Sequence, residues 1–260
     1  MNKKCLYTVG YTLFKQGDTV DLGNMIDVLK KYSINFLVDV RSVPYSKQYP
    51  QCNADNMKIV GKGLCMPYMS MPEIGAKANN QQDVFSKASD IFYEDVFPIA
   101  KSYRPEKTEL HGSDEIVDFH KFRCDEYFLS GLRRIENAYD KNYILCLMCS
   151  EKNPLDCHRY FLISKALEQR FGDWLEVRHI IEKSDGNIGY ISNDDLDKQL
   201  EKLVCKKIPE LGSMFRNDIL DNYSGETEQD KLKDFCDRYW NLLHGWKRLN
   251  YNKENYDSII

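Results

Sequence analysis

Residues 34–41 read Ile34-Asn-Phe-Leu-Val-Asp-Val-Arg41, and this run decides the fold class. Apolar residues fill almost every position from Ile34 to Val40, where a strand with one wet face would alternate. A strand buried on both faces reads this way, and such strands belong to parallel sheets covered by helices. Upstream, Leu22, Met25, Ile26 and Leu29 recur at helical spacing. Asp18-Thr-Val-Asp21 just before them has the form of a helix start, with Asp18 as cap. Lys4 to Gly10 reads as an earlier strand. Strand, helix and strand in this order predict a right-handed, parallel βαβ unit.

Downstream, Arg41 to Asn53 carries Pro44 and Pro50 and reads as a loop. A short helix over 55–62 and a short strand over 65–70 follow, then a loop over 72–82 that contains Gly75. Residues 86–100 read as helical, 101–112 as a surface insertion, and 114–123 and 125–140 as two more helices. Tyr143 to Met148 is the clearest strand; Pro154 and Asp156 mark the turn after it. Asp156 is placed to cap a helix running from Cys157 to about Arg170. Leu175 to Ile180 is a further strand, and 183–189 a connection. Residues 194–206 read as helical and 207–225 as irregular. From Thr227, Leu232, Phe235, Cys236, Tyr239, Trp240, Leu243 and Trp246 share one helical face, as core or interface residues do. The expected architecture is α/β: an open, mostly parallel Rossmann-like sheet flanked by helices. Residues 1–182 form its core domain with the functional pocket, and 183–260 a helical C-terminal extension.

The 260 residues carry 36 basic and 40 acidic side chains, a formal net charge of -4. That balance gives no whole-protein basic field for non-specific nucleic-acid binding. No apolar run approaches the ~20 residues of a membrane helix. The opening Met1-Asn-Lys-Lys4 lacks a signal peptide's apolar segment, so a cytoplasmic location and no membrane partner are expected. The nine cysteines, an odd number, then read as thiols, with Cys5, Cys65, Cys146 and Cys236 as core residues.

In open α/β sheets, ligands bind beyond the carboxyl ends of the strands. Two expected strands end in polar clusters: Asp39-Val-Arg41-Ser42, and Cys149-Ser-Glu151 followed by Cys157-His158-Arg159. Arg41 and Arg159 carry planar forks suited to phosphate or carboxylate. With Ser42, Cys149 and a helix N-terminus, they make an anion-binding set. Asp39 and Glu151 supply carboxylates for acid/base work. A thiol beside His158 at a helix start is a candidate nucleophile, so Cys157 joins Asp39, Glu151 and His158 as a catalytic candidate. Cys149, Cys157 and His158 are zinc ligand types, yet the C-x7-C-H spacing fits no standard zinc pattern and the sequence offers no evident fourth ligand. No metal ligand set is assigned, and no cofactor is clearly implied. A Walker loop and a Gly-x-Gly-x-x-Gly after the first strand are both lacking, which argues against standard ATP or NAD binding. His111, His120 and His179 sit in no comparable cluster and read as structural.

Three segments in this order resemble the domain-of-unknown-function 488 family (DUF488). They are Tyr7-Thr-Val-Gly10-Tyr11, Val38-Asp39-Val-Arg41-Ser42-Val-Pro44-Tyr-Ser46, and Cys149-Ser-Glu151-Lys-Asn-Pro154-Leu-Asp-Cys157-His158-Arg159, with His179-Ile180 on a late strand. The resemblance spans roughly residues 4–182. It implies a compact α/β domain with the polar motifs clustered, and it implies no reaction. Where the family often has a Leu-Gly-Gly-type turn, this chain reads Glu73-Ile-Gly75-Ala-Lys77, and residues 79–112 are longer than usual.

Three functions compete at this level. The first is a hydrolase or transferase acting on an anionic small molecule, a nucleotide or a nucleic-acid component, held by Arg41 and Arg159. The second is a thiol or sulfur-transfer enzyme using Cys157 or Cys149. The third is a non-catalytic ligand sensor or nucleic-acid-binding module, whose aromatic C-terminal helix docks a protein partner or forms a homodimer.

Overall fold

The computed structural model describes residues 3–77, 83–91, 115–212 and 216–249. The chain divides into two compact units, residues 1–76 with 126–193, and residues 77–125 with 194–260.

The first unit is built on a six-stranded sheet. In chain order, β1 is Lys4–Gly10, β2 Lys15–Gln16, β3 Thr19–Val20, β4 Phe36–Asp39 and β5 Tyr68–Ser70. In the second unit, β6 is Phe85–Lys87 and β7 Glu115–Val117; back in the first, β8 is Leu145–Cys149, β9 Leu175–Glu182 and β10 Ile188–Ser192. The six strands lie in the order β10-β9-β1-β8-β4-β5. All neighbours are parallel except β10, which runs antiparallel to β9. The fold is thus an open, mostly parallel α/β sheet.

The helix between β1 and β4 is α1, Leu22–Lys31. It begins later than its sequence suggests. Residues 15–20 fold into the β2–β3 hairpin, with Gly17 at a positive φ of 58° in the turn. Asp21, not Asp18, is the cap: its carboxylate accepts from the Asn24 amide at 2.9 Å. Leu22, Met25, Ile26 and Leu29 are buried, and Lys30 and Lys31 favour the negative end of the helix dipole. Strands β1 and β4 are parallel members of one sheet, but β8 lies between them. The βαβ unit is therefore completed by a strand more than a hundred residues later in the chain. All five residues of β8, Leu-Cys-Leu-Met-Cys, are buried, as its central place requires.

On one face of the sheet, Tyr7, Val9, Leu37, Cys146 and Met148 form a core with residues of α1 and of α2, Ala54–Gly63. Beyond β8 the structure departs from the expected single helix. Pro154–Asp156 is a 3-10 turn capped by Asn153, whose side chain accepts from the Leu155 amide. Asp156 instead accepts from the Asn153 side chain at 3.0 Å and caps no helix. Cys157 is extended, and the helix opens as a wide π turn over Arg159–Ser164, all buried. Pro154 sets the tight turn that delays the helix. Residues 183–187 form a tight turn into β10, where the Ile-Gly-Tyr-Ile run finds the free edge of β9. The sheet therefore continues past residue 182, and the first unit extends to Asn193.

The second unit contains the β6–β7 pair, α3 (Ala88–Ile91) and α4 (Phe119–Cys124). In the first unit, α5 is Glu126–Asp140 and α6 Lys165–Phe171. After them come α7 (Asn193–Lys207), α8 (Arg216–Leu220) and α9 (Glu228–Leu249). The helix expected over 86–100 is a strand followed by α3, with the remainder outside the described residues. The helix expected over 114–123 opens with β7. The β-rich Glu-Ile-Val run pairs with Phe-Ser-Lys, and this tertiary pairing overrides local helical pattern. The insertion expected over 101–112 also lies outside the described residues. Leu232, Phe235, Cys236, Tyr239 and Trp240 of α9 are buried. Asn241 on the same helix accepts from the Phe119 amide and donates to the Val117 carbonyl, both at 2.7 Å. Among the described residues, no helix is long and apolar enough to cross a membrane. All nine cysteines are free, but Cys65 is exposed, at a turn with φ of 53°, and Cys5 is only partly covered.

Candidate functional site

Three adjacent strands, β1, β8 and β4, end together, with Gly10 in register with Cys149 and Asp39 with Met148. The chain leaves β1 toward β4 and β5, then returns to insert β8 and place β9 on the far side. Such a reversal of direction is where open α/β sheets place their ligands. Side chains alternate across a sheet, so register assigns faces. Asp39 shares the face of Met148 and Val9, and Cys149 projects from the opposite face with Gly10. The expected single pocket is therefore two clusters at one sheet end, bridged by the backbone between Asp39 and Arg41.

The first cluster is a buried ion pair. Asp39 is fully buried and Arg41 is 6% exposed. Arg41 Nε donates to Oδ1 at 2.9 Å, Nη2 to Oδ2 at 2.6 Å, and the Arg41 amide to Oδ1 at 3.1 Å. Tyr68 adds its hydroxyl to Oδ2 at 2.7 Å. Arg41 Nη2 also reaches the Cys52 carbonyl at 2.6 Å, and the Tyr11 ring lies 5.2 Å from the guanidinium carbon. Burial works against the Arg41 charge, but the Asp39 carboxylate outweighs it and the group is held charged. Burial, and then the same carboxylate, push the Tyr68 hydroxyl up, so Tyr68 stays a proton donor. One donor is left over: Arg41 Nη1 is buried without a hydrogen-bond partner among the described residues. Ser42 forms the next wall. A Cβ on Gly75 would lie 2.4 Å from Ser42 Oγ and 2.7 Å from its Cα. In the Glu73-Ile-Gly75 turn, this glycine is what lets the two backbones meet.

The second cluster gathers Cys149, Glu151, Cys157 and His158. Cys149 Sγ lies 2.9 Å and Cys157 Sγ 3.1 Å from Glu151 Oε2. His158 Nδ1 is 3.6 Å from the first sulfur and 3.9 Å from the second. The two sulfurs and a nitrogen of His158 all lie within 4.8 Å of one another and are buried. The other ring nitrogen, Nε2, faces the Val40 carbonyl at 3.0 Å. A carbonyl only accepts, so Nε2 carries a proton and donates it to Val40 while Nδ1 faces the sulfurs. Burial alone would raise the Cys149 thiol, but the hydrogen bond from Cys157 and the His158 ring draw it below the ordinary thiol range. Burial and Cys149 push Cys157 the other way. A bare thiolate and a bare carboxylate repel strongly at 2.9 Å, so a proton or a cation must lie between them.

Arg159 lies beside this second cluster, fully buried. Nη1 donates to the Glu151 carbonyl, and Nη2 to the Lys152 carbonyl at 2.9 Å. Its fork clamps the 151–152 backbone, so in this arrangement it fastens the loop that carries Glu151. Arg159, expected to help hold an anion, has two of its nitrogens on backbone carbonyls. His179 is buried on β9 between Thr8 Oγ1 at 2.8 Å and Asn193 Oδ1 at 2.7 Å, a satisfied position. Tyr68 is a residue at the candidate site that sequence reading did not single out; Gly10 and Tyr11 stand in the first resembling segment but were given no role. Tyr11 follows directly on the end of β1, and Tyr68 sits on a three-residue strand beside β4, so neighbouring strand ends were the available signal.

No curated protein and no solved structure matches the chain. Residues 21–99 match the family model described as Domain of unknown function DUF488. The matched segment holds the Asp39-Arg41 cluster and ends before the Cys149–Arg159 motif. The family that the strand-end motifs resemble is thus the family whose model the chain matches over residues 21–99.

Proposed function

We propose that the chain is an enzyme of the hydrolase or transferase type that binds an anionic ligand, a nucleotide or nucleic-acid component, at the carboxyl ends of β1, β8 and β4. The observation that carries this reading is the unpartnered Nη1 of Arg41. A buried donor on a charged guanidinium is costly to leave unsatisfied. Here Asp39 and the Cys52 carbonyl lock the other edges of the fork, so the free edge has a fixed direction. A phosphate or carboxylate oxygen is the group that completes such a site. Asp39, spent on Arg41 and Tyr68, positions the cation.

Calorimetric titration with nucleoside phosphates, inorganic phosphate, pyrophosphate, sugar phosphates and short oligonucleotides tests this. Arg41→Lys keeps a charge for Asp39 but loses the planar fork. It is expected to weaken the best anion at least tenfold, about 1.4 kcal/mol, with the fold intact. Turnover of that ligand by the wild type then separates an enzyme from a sensor. The reading fails if no anion binds the wild type, or if folded Arg41→Lys binds as tightly.

A further inference from the structure

We infer that Cys149, Glu151, Cys157 and His158 form a closed, four-coordinate site for one Zn²⁺ ion. Zinc binds thiolate sulfur at about 2.3 Å and imidazole nitrogen at about 2.0–2.1 Å in a tetrahedron. From those bond lengths, a tetrahedral sulfur–nitrogen edge is about 3.6 Å. The two edges from His158 Nδ1 to the sulfurs are 3.6 and 3.9 Å, within a few tenths of that value. The edges from the sulfurs to Glu151 Oε2, at 2.9 and 3.1 Å, are about half an ångström shorter than a tetrahedron asks; Glu151 stands outside the group of two sulfurs and one His158 nitrogen that lie within 4.8 Å of one another, so its carboxylate must swing toward His158 to complete the tetrahedron. The fourth ligand that the Cys-x7-Cys-His spacing does not reveal is supplied because the 150–156 turn folds Glu151 back over both sulfurs.

Three independent features fit a metal centre. His158 Nε2 is anchored on the Val40 carbonyl, the outer-shell contact that fixes the tautomer of a metal-bound histidine and aims its other nitrogen. The three ligand residues other than Glu151 are at most 3% exposed, as structural zinc sites are. Charge also balances: two thiolates and a carboxylate around Zn²⁺ leave one net negative charge, and the Arg159 guanidinium beside it spends its hydrogen bonds on uncharged carbonyls. Soft sulfur with one imidazole selects zinc over magnesium or calcium. Such an ion would staple the end of β8 to the start of the π turn across the 150–156 loop. It is independent of the anion reading, which rests on Arg41 at the other face of the sheet end.

The test is the metal content of the full chain, purified under reducing conditions without chelator. About one zinc per chain is expected by elemental mass spectrometry. Cobalt(II) exchanged into the site should give the visible bands and sulfur charge transfer of a tetrahedral dithiolate centre. Cys157→Ser and His158→Gln should each lose the zinc, while Cys65→Ser, at an exposed turn, keeps it. Glu151→Gln, which keeps the side chain's volume, should weaken zinc at least tenfold and shift the cobalt bands. Zinc far below one per chain with no cobalt signal, in folded protein with nine titratable thiols, overturns the inference. So does a Cys149–Cys157 disulfide in the fresh protein, or a metal that survives both Cys157→Ser and His158→Gln. Rapid labelling of Cys149 or Cys157 by iodoacetamide below pH 8 in the protein as purified without chelator would also overturn it and point to thiol chemistry, because zinc-bound thiolates are shielded from alkylation. Arg41→Lys should keep its zinc whatever happens to anion binding, so the two readings fail separately.

Discussion

Asp39→Asn is expected to cost about 3–5 kcal/mol of stability, the range for stranding one member of a buried ion pair. Asp39 is fully buried and accepts from four donors: two guanidinium nitrogens, the Arg41 amide and the Tyr68 hydroxyl. An asparagine offers one acceptor oxygen where two are used, and its amide hydrogens point at donors. The Arg41 cation, held charged by that carboxylate, is left in low dielectric without a counter-ion. The denaturant midpoint of purified Asp39→Asn reports the loss, with the m-value as the check that the unfolded surface is unchanged. The double variant Asp39→Asn/Arg41→Met should be more stable than Asp39→Asn alone, since it removes the stranded charge as well. A single variant that unfolds at the wild-type midpoint would show that the pair contributes nothing net, and Arg41 would lose its fixed direction as an argument for an anion.

Gly10→Ala is expected to cost about 3 kcal/mol, the upper end for a forced insertion into a packed site. A Cβ at Gly10 would stand 1.7 Å from the Glu151 carbonyl oxygen, 2.6 Å from its carbon and 2.8 Å from Arg159 Nη1. The glycine's φ is an ordinary -101°, so the demand is for space alone. The obstruction is backbone, and it cannot drift away cheaply. Arg159 clamps the 151–152 carbonyls from one side, and Thr12 binds the Ser150 carbonyl through both its amide and its hydroxyl. Gly63→Ala makes the comparison, because nothing lies within 4 Å of a Cβ there. That variant should stay within about 0.5 kcal/mol of wild type. Equal thermal midpoints for the two alanine variants would mean that the 150–152 segment yields, and the close packing of β1 against it would carry no energetic weight.

Much of the sheet was legible because buried parallel strands and amphipathic helices write a local period into the chain. Ile34–Val40, the 22–29 stripe and Tyr143–Met148 each produced the element they predicted. Helix starts were less legible. Asp18 and Asp156 both had the chemistry of a cap, yet a hairpin displaced the first and a proline-initiated 3-10 turn the second. A capping side chain competes with whatever turn its neighbours form, and the neighbours won. β10 and β7 escaped notice because each owes its existence to a partner strand: β9 across a tight turn, and β6 across a long separation.

The sequence by itself determined the class of fold, an open α/β sheet, and the residues that end up at the carboxyl ends of its strands. Hydrophobic period and punctuation are local properties, so they survive without the structure. Only the tertiary structure decided how those residues meet. The order β10-β9-β1-β8-β4-β5 is set by long-range pairing. With it, strand register places Asp39 and Cys149 on opposite faces. It leaves Arg41 with one unpaired nitrogen, turns Arg159 onto backbone carbonyls, and folds Glu151 onto two sulfurs. The physical reason is that a pleated strand fixes the face of every side chain once its neighbours and register are known. Those neighbours come from strands well over a hundred residues away in the chain, as where Lys4 of β1 pairs with Leu175 of β9.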